Sequence, residues 1–61
     1  MFKDAKPIEQ YYKAGRDAGM TYLEMQKRLK IIDYVQAEYG AWTLYQDDAG
    51  NLWEGYFSIG D

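Results

Sequence analysis

The feature that most limits the fold of this chain is its small size combined with the absence of cysteine. A domain of 61 residues buries only about 60% of the surface that its unfolded chain exposes, and without cysteine it has no disulfide bonds to add stability. Apolar residues make up 48% and charged residues 28% of the chain, which is typical of a globular domain. We therefore predict one small domain, residues 1–61, with a thin core.

The side chains that most often carry catalysis are scarce, whereas aromatic side chains are abundant. The chain has seven tyrosines, two tryptophans and two phenylalanines but no histidine and no cysteine. General acid–base catalysis near neutral pH, thiol chemistry and transition-metal binding rely on histidine and cysteine. Paired carboxylates could come from Asp47, Asp48 and Glu54, but so small a domain is not expected to form the cleft that would raise one pKa. We predict a binding protein and not an enzyme, with no catalytic residue, no cofactor and no metal site.

Charge divides the chain into a basic half and an acidic half. Residues 1–30 hold all seven basic residues against four acidic ones, and residues 31–61 hold six acidic residues and no basic one. The net charge of −3 argues against nucleic-acid binding as the main task, because such proteins usually carry a basic excess. The sequence has neither an apolar stretch long enough for a membrane helix nor the apolar segment of a secretory signal. We therefore predict a soluble cytoplasmic protein without membrane contact.

A first amphipathic helix is predicted over about residues 7–18. Pro7 suits the first turn of a helix, and apolar residues recur after it at three- and four-residue spacing until Gly19 ends the pattern. Gly15 lies in the apolar stripe, where a glycine costs helix stability, so we expect another element to approach the backbone closely there.

A second helix is predicted over about residues 21–39. The sequence Thr21-Tyr22-Leu23-Glu24 matches a capping box, and no proline or glycine follows until Gly40. One apolar stripe of this helix consists of Tyr22, Met25, Leu29, Ile32 and Tyr39. Leu23, Ile31 and Tyr34 point away from the stripe, so either a second layer covers them or they form an exposed patch.

After Gly40 the apolar spacing changes to two, which predicts a β-hairpin over about residues 41–59. A four-residue loop from Asp47 to Gly50, with Gly50 in the left-handed conformation, is favoured over a calcium loop, which needs alternate oxygen ligands over about twelve residues. This loop pairs Leu44 with Trp53 and Trp42 with Gly55. The register places on one inner face the side chains of Trp42, Leu44, Trp53, Phe57 and Ile59.

These elements predict an α+β fold in which a two-helix hairpin packs on a C-terminal two-stranded antiparallel β-hairpin. A two-stranded sheet with open edges is weak alone, so we expect its edge to pair in a homodimer or with a strand of a partner.

The sequences Gly19-Met20-Thr21 and Glu24-Met25-Gln26-Lys27-Arg28-Leu29 follow a short predicted helix. Residues 8–29 thereby resemble the first two helices of a helix-turn-helix domain of the resolvase and transposase kind. The chain departs from that pattern at Gln26, at Lys30, and over residues 33–39, where the would-be recognition helix carries two acidic residues and no basic one. The resemblance implies an alternative function as a winged helix-turn-helix DNA-binding regulator, with first phosphate contacts from Lys27, Arg28 and Lys30.

Two sets of residues are predicted to bind a partner protein, and the sequence leaves the choice between them open. The first set is the outward tyrosines Tyr34, Tyr45 and Tyr56, because tyrosine offers a large contact area at low entropic cost. The second set is Asp47, Asp48 and Glu54, which could compete for a basic nucleic-acid-binding surface on the partner. Size and acidity predict an inhibitor or adaptor of the kind that phages and mobile elements encode.

Overall fold

The computed structural model describes residues 2–58. In chain order these residues form β1 (Lys6–Pro7), α1 (Ile8–Asp17), α2 (Tyr22–Lys27), β2 (Lys30–Gln36), β3 (Gly40–Gln46) and β4 (Leu52–Ser58). The strands make one sheet in the order β1-β4-β3-β2, in which β1 runs parallel to β4 and the other neighbours are antiparallel. The helices lie on one face of this sheet, where Ile8 approaches Gly55 and the Tyr11 ring contacts Trp53.

The first predicted helix is confirmed as α1. Pro7 is its N-cap, and Gly19, with a φ of 83°, follows its end. Gly15 is buried, and a Cβ at this position would overlap Sδ of Met25. The close approach that the glycine predicts is therefore confirmed, and the element that approaches is α2.

The helix α2 begins with the predicted capping box. The Thr21 hydroxyl accepts a hydrogen bond from the Glu24 N–H at 3.1 Å, and the Glu24 carboxylate accepts one from the Thr21 N–H at 2.9 Å. The Thr21 N–H and the Thr21 hydroxyl both donate to the Glu24 carboxylate, and these two bonds lower the pKa of Glu24. The Tyr11 hydroxyl donates to the Met25 carbonyl at 2.7 Å, so α1 and α2 are joined by a hydrogen bond as well as by packing.

The prediction of one helix over residues 21–39 is wrong, because α2 ends at Lys27 and residues 30–36 form the strand β2. Ile31, Ile32, Tyr34 and Val35 are β-branched or aromatic and favour a strand. The strand also pairs its backbone with β3 from Lys30 to Gln36, with a bulge between Ile31 and Asp33. An apolar pattern in this region fits a helix or a strand, and only the pairing partner decides between them.

The predicted fold, a two-helix hairpin on a two-stranded antiparallel sheet, is therefore wrong as well. The sheet has four strands and is mixed, because β2 extends the predicted hairpin on one side and β1 joins it on the other. The strand β1 is only two residues long and pairs with β4, 47 positions later, with Lys6 opposite Trp53. A strand of two residues is too short to show the alternation of apolar and polar residues from which a strand is predicted.

The strands β3 and β4 form the predicted antiparallel pair, but their register differs by one residue from the prediction. Leu44 lies opposite Glu54 and Trp42 lies opposite Tyr56. The predicted pairings of Leu44 with Trp53 and of Trp42 with Gly55 are therefore wrong. Opposed residues point to the same face of a sheet, so Gly55 lies on the face opposite to that of Trp42. A Cβ at Gly55 would instead meet Cγ2 of Ile8 at 3.2 Å.

The register differs because the loop takes in one more residue. The Asp47 carboxylate accepts hydrogen bonds from the N–H groups of Ala49 and Asn51, and the Asp47 N–H donates to the Asn51 carbonyl. Asn51 thereby belongs to the loop and not to the strand. Gly50 has a φ of 89°, which confirms its predicted left-handed conformation.

The one-residue shift divides the predicted apolar face between the two sides of the sheet. Trp53 and Phe57 lie on the helix side, whereas Trp42 and Leu44 lie on the opposite side. Ile59, the last predicted member of that face, lies outside the described residues.

The core is as thin as the chain length predicts. Within residues 2–58, Met25 is the largest side chain that is fully buried, and Ala41 and Thr43 are the other buried residues with side chains. Among the same residues, eight large apolar side chains are exposed, namely Tyr22, Leu23, Ile31, Ile32, Tyr34, Tyr39, Tyr56 and Phe57. Neither α1 nor α2 is long and apolar enough to cross a membrane.

Candidate functional site

A cleft in two adjoining parts lies on the helix side of the sheet. The part between the two helices is mainly apolar, and the part that reaches the sheet has a mixed polar and apolar lining. Its first part has a volume of about 490 Å³ and is lined by Glu9, Tyr12, Arg16, Met20, Tyr22 and Met25. Its second part has a volume of about 320 Å³ and is lined by Tyr12, Tyr22, Gln26, Leu29, Ile31 and Tyr45. Because Tyr12 and Tyr22 line both parts, we call the two together the tyrosine cleft.

The wall between the two parts is a stacked pair of tyrosine rings. The Tyr12 and Tyr22 rings lie 5.1 Å apart at an interplanar angle of 29°, and the Tyr11 ring meets Tyr12 edge-on at 5.5 Å. Burial and the neighbouring Tyr22 hydroxyl raise the pKa of Tyr12 to about 12. The Tyr12 ring is therefore neutral at physiological pH, and its packing fixes its orientation.

Exposed apolar side chains lie on α2 and β2, and two of them, Tyr22 and Ile31, line the tyrosine cleft. Tyr22, Leu23, Ile31 and Tyr34 are each between 60% and 65% exposed. Leu23, Ile31 and Tyr34 are thus exposed, although Ile31 and Tyr34 lie on β2 and not on the predicted helix. Large apolar side chains that are exposed next to one another are typical of interaction surfaces.

The three predicted tyrosines do not share one surface. Tyr45 is half-buried and lines the tyrosine cleft, and Tyr34 lies on the same side of the sheet because it is opposite Thr43, two residues before Tyr45. Tyr56 lies on the other side, where its ring packs against Trp42 at 5.1 Å. Two of the three residues thus belong to the helix side and one does not.

Asp47, the first of the predicted acidic binding residues, is part of the loop structure. One carboxylate oxygen accepts the N–H groups of Ala49 and Asn51 at 3.0 and 2.8 Å, and the other accepts the Trp53 indole N–H at 3.0 Å. Burial alone would raise the pKa of Asp47, but these hydrogen bonds outweigh burial and lower the pKa. The Asp47 carboxylate thus holds the loop together.

Asp48, the second acidic residue, lies beside the basic residues of the DNA-binding alternative. Lys27, Arg28 and Lys30 line a groove of about 640 Å³ together with Asp47 and Asp48. Arg28 Nε and Asp48 Oδ2 are 3.9 Å apart, and both side chains are more than half exposed. The basic group therefore faces carboxylates of its own chain.

Glu54, the third acidic residue, lies on the face of the sheet opposite the helices. It is opposite Leu44 on β3, and its carboxylate accepts a hydrogen bond from the Phe2 N–H at 2.7 Å. The structure therefore brings Asp47 and Asp48 together and leaves Glu54 on another surface.

Sequence reasoning missed Tyr12 and Tyr22 as members of a site. Tyr22 belongs to the predicted apolar stripe of the second helix, and Tyr12 is one of the regularly spaced apolar residues that predict the first helix. This spacing does not distinguish a binding cleft from a buried helix face. The turn at Gly19 brings the rings of Tyr12 and Tyr22 together. The sequence does not show how close these two rings come, because their distance depends on how the two helices pack.

Residues 2–58 contain no cluster of acidic side chains arranged to hold a metal ion. No family model matches this chain, and no curated protein or solved structure is significantly similar to it.

Proposed function

We propose that this chain is a non-catalytic protein-binding module whose tyrosine cleft takes an apolar side chain of a partner protein. The observation that carries the proposal is a cleft whose lining includes the exposed side chains of Tyr22 and Ile31. Binding hot spots concentrate where a pocket with tyrosine walls excludes water and is surrounded by further contact area. The cleft provides the pocket, and the exposed side chains provide the contact area.

A protein is favoured over a nucleic acid as the partner because of where the charges lie. The Tyr12 ring at the centre of the cleft is neutral, and the two charged residues that line it, Glu9 and Arg16, have opposite signs. Phosphate binding needs a basic excess, whereas an apolar anchor with a mixed polar rim is typical of protein interfaces.

The DNA-binding alternative remains a prediction without an observation that favours it. Its recognition helix was expected over residues 33–39, and residues 33–36 belong to β2. Competition for a basic surface through Asp47, Asp48 and Glu54 also remains a prediction, as do the role of inhibitor or adaptor, the phage-type origin and the cytoplasmic location.

The proposal is tested with the full chain as bait for partners from its native host, followed by affinity measurements on the captured protein. We expect Tyr22→Ala to weaken binding by about 2 kcal/mol, which is the loss at an interface hot spot. The matched control is Tyr39→Ala, because Tyr39 is also an exposed tyrosine but does not line the cleft.

Circular dichroism checks that both variants fold like the parent chain. Equal affinities for the parent and Tyr22→Ala would show that the partner binds elsewhere. A loss with Tyr39→Ala alone would move the site to the turn between β2 and β3.

A further inference from the structure

The face of the sheet opposite the helices carries a pair of aromatic rings. Trp42 on β3 lies directly opposite Tyr56 on β4, and their ring centroids are 5.1 Å apart at an interplanar angle of 57°. Within residues 2–58 both helices lie on the other face, and Tyr56 is 46% exposed while Trp42 is half-buried. The pair therefore presents aromatic surface to the solvent.

A small pocket opens beside this pair, at the edge of the sheet that β1 forms. It has a volume of about 200 Å³ and is lined by Pro7, Glu9, Trp42, Glu54 and Tyr56, and we call it the edge pocket. Pro7 is paired with Glu54, and Glu9 lies in the first turn of α1. Pockets for small-molecule ligands have volumes of about 300–1,000 Å³, so the edge pocket has room for a single side chain.

Both charged residues that line the edge pocket are acidic. Glu9 is exposed, so its carboxylate can turn towards a bound group. Glu54 accepts a hydrogen bond from the Phe2 N–H, and it adds negative charge without being needed as a direct ligand. Lys6, the nearest basic residue along the chain, is paired with Trp53 and therefore belongs to the helix side of the sheet. The charge of the edge pocket is thus complementary to a cation.

Aromatic rings beside a carboxylate favour the guanidinium group of arginine over other cations. A cation within about 6 Å of the centroid of a tryptophan or tyrosine ring is attracted to the face of that ring. A planar guanidinium stacks on a ring and donates hydrogen bonds to a carboxylate at the same time, whereas the ammonium group of lysine is compact and strongly hydrated. The edge pocket offers both kinds of contact.

We propose that the edge pocket binds an arginine side chain of a partner protein, with the guanidinium group against the rings of Trp42 and Tyr56 and bonded to the Glu9 carboxylate. This inference goes beyond the proposed function, because the tyrosine cleft takes an apolar side chain and lies on the other side of the sheet. Glu9 lines both sites, whereas Tyr56 lines the edge pocket and not the cleft. Substitutions of Tyr56 therefore separate one site from the other.

The experiment is a titration of the isotope-labelled full chain with an acetylated and amidated glycine–arginine–glycine tripeptide, followed by the indole N–H resonances of the two tryptophans. We expect the Trp42 resonance to shift to saturation with a dissociation constant on the order of millimolar, because a single cation–π contact and an exposed ion pair are each weak. The Trp53 resonance is the internal reference, because its indole N–H is bonded to Asp47 and should not move. A Trp42 resonance that does not shift overturns the proposal.

Two matched tripeptides isolate the charge and the shape of the guanidinium group. Citrulline in place of arginine keeps the shape but is neutral, so we expect it to bind about tenfold more weakly. Lysine keeps the charge but not the planar group, so we expect it to bind about threefold more weakly. Equal affinities for arginine and citrulline, or for arginine and lysine, overturn the assignment of the pocket to arginine.

Variants of the pocket lining test where the tripeptide binds. Glu9→Gln and Tyr56→Leu should each weaken the binding of the arginine tripeptide by about threefold, and dispersed indole resonances check that each variant is folded. The matched control is Asp17→Asn, because Asp17 is an exposed acidic residue of α1 that does not line the pocket. Unchanged affinity in either pocket variant overturns the proposal. Tyr22→Ala should leave arginine binding unchanged, so failure of the tyrosine cleft and failure of the edge pocket are distinguishable.

Discussion

Replacing Asp47 by alanine should destabilise the fold far more than replacing its neighbour Asp48. The Asp47 carboxylate accepts four hydrogen bonds, from the N–H groups of Ala49 and Asn51, the Asn51 side-chain amide and the Trp53 indole. These bonds fix the loop that sets the register of β3 and β4. Asp48 has one ion pair, with Arg28 at 3.9 Å between exposed side chains.

The expected magnitude follows from these contacts. A hydrogen bond to a charged group contributes about 1.5–3 kcal/mol when its loss leaves a partner unsatisfied. Water can replace the carboxylate at the exposed N–H groups of Ala49 and Asn51 but less readily at the half-buried Trp53 indole, so we expect Asp47→Ala to cost about 2 kcal/mol in total. Asp48→Ala should cost less than about 0.5 kcal/mol, because exposed ion pairs contribute little.

The assays are urea unfolding and thermal unfolding, both followed by circular dichroism. For a domain of this size, the expected loss for Asp47→Ala corresponds to a decrease in Tm of roughly 10 °C. The unfolding free energy of Asp47→Asn should lie between those of the parent and the alanine variant, because the single carbonyl oxygen of asparagine can replace only one of the two carboxylate oxygens. Equal unfolding free energies for Asp47→Ala and Asp48→Ala would refute the structural role of the loop carboxylate.

The same carboxylate makes a prediction about pH. The pKa of Asp47 is lower in the folded chain than its ordinary value, so its contribution to stability is fully present above the unfolded pKa, about 3.9. The contribution is lost as the pH falls through the folded pKa. The difference in unfolding free energy between the parent and Asp47→Asn should therefore be constant near pH 7 and shrink below about pH 4.

Three substitutions test the packing and the cap. Gly40→Ala should cost more than about 2 kcal/mol in unfolding free energy, because a Cβ there overlaps the Phe57 carbonyl, a backbone atom that cannot move aside. Gly55→Val should cost about 1–3 kcal/mol, because its side chain meets Ile8, and the additional Ile8→Ala substitution should recover part of that loss. Thr21→Ala removes the hydroxyl that caps α2 and should cost about 1 kcal/mol; all three are measured by urea unfolding, and unchanged midpoints would contradict the contacts named.

The candidate site was predictable only in part, for a reason that Tyr45 and Tyr56 illustrate. Both residues alternate with apolar neighbours in the sequence, and the predicted register placed them on one outward face. The observed register places Tyr45 in the tyrosine cleft and Tyr56 on the opposite face, because one added loop residue exchanges the two faces of a strand. Tyr34 is exposed as its predicted outward position implies, but the prediction placed it on a helix and the structure places it on β2.

The sequence by itself determined the features that depend on neighbours within a few residues. The extent of α1, the capping box at Thr21 and the left-handed Gly50 all follow from local sterics and hydrogen bonding. Only the tertiary structure decided whether residues 30–36 are helix or strand, which register β3 and β4 adopt, and that Lys6–Pro7 joins the sheet. These choices depend on hydrogen bonds between segments distant in sequence, and the free energy of such pairing is not encoded in the composition of either segment alone.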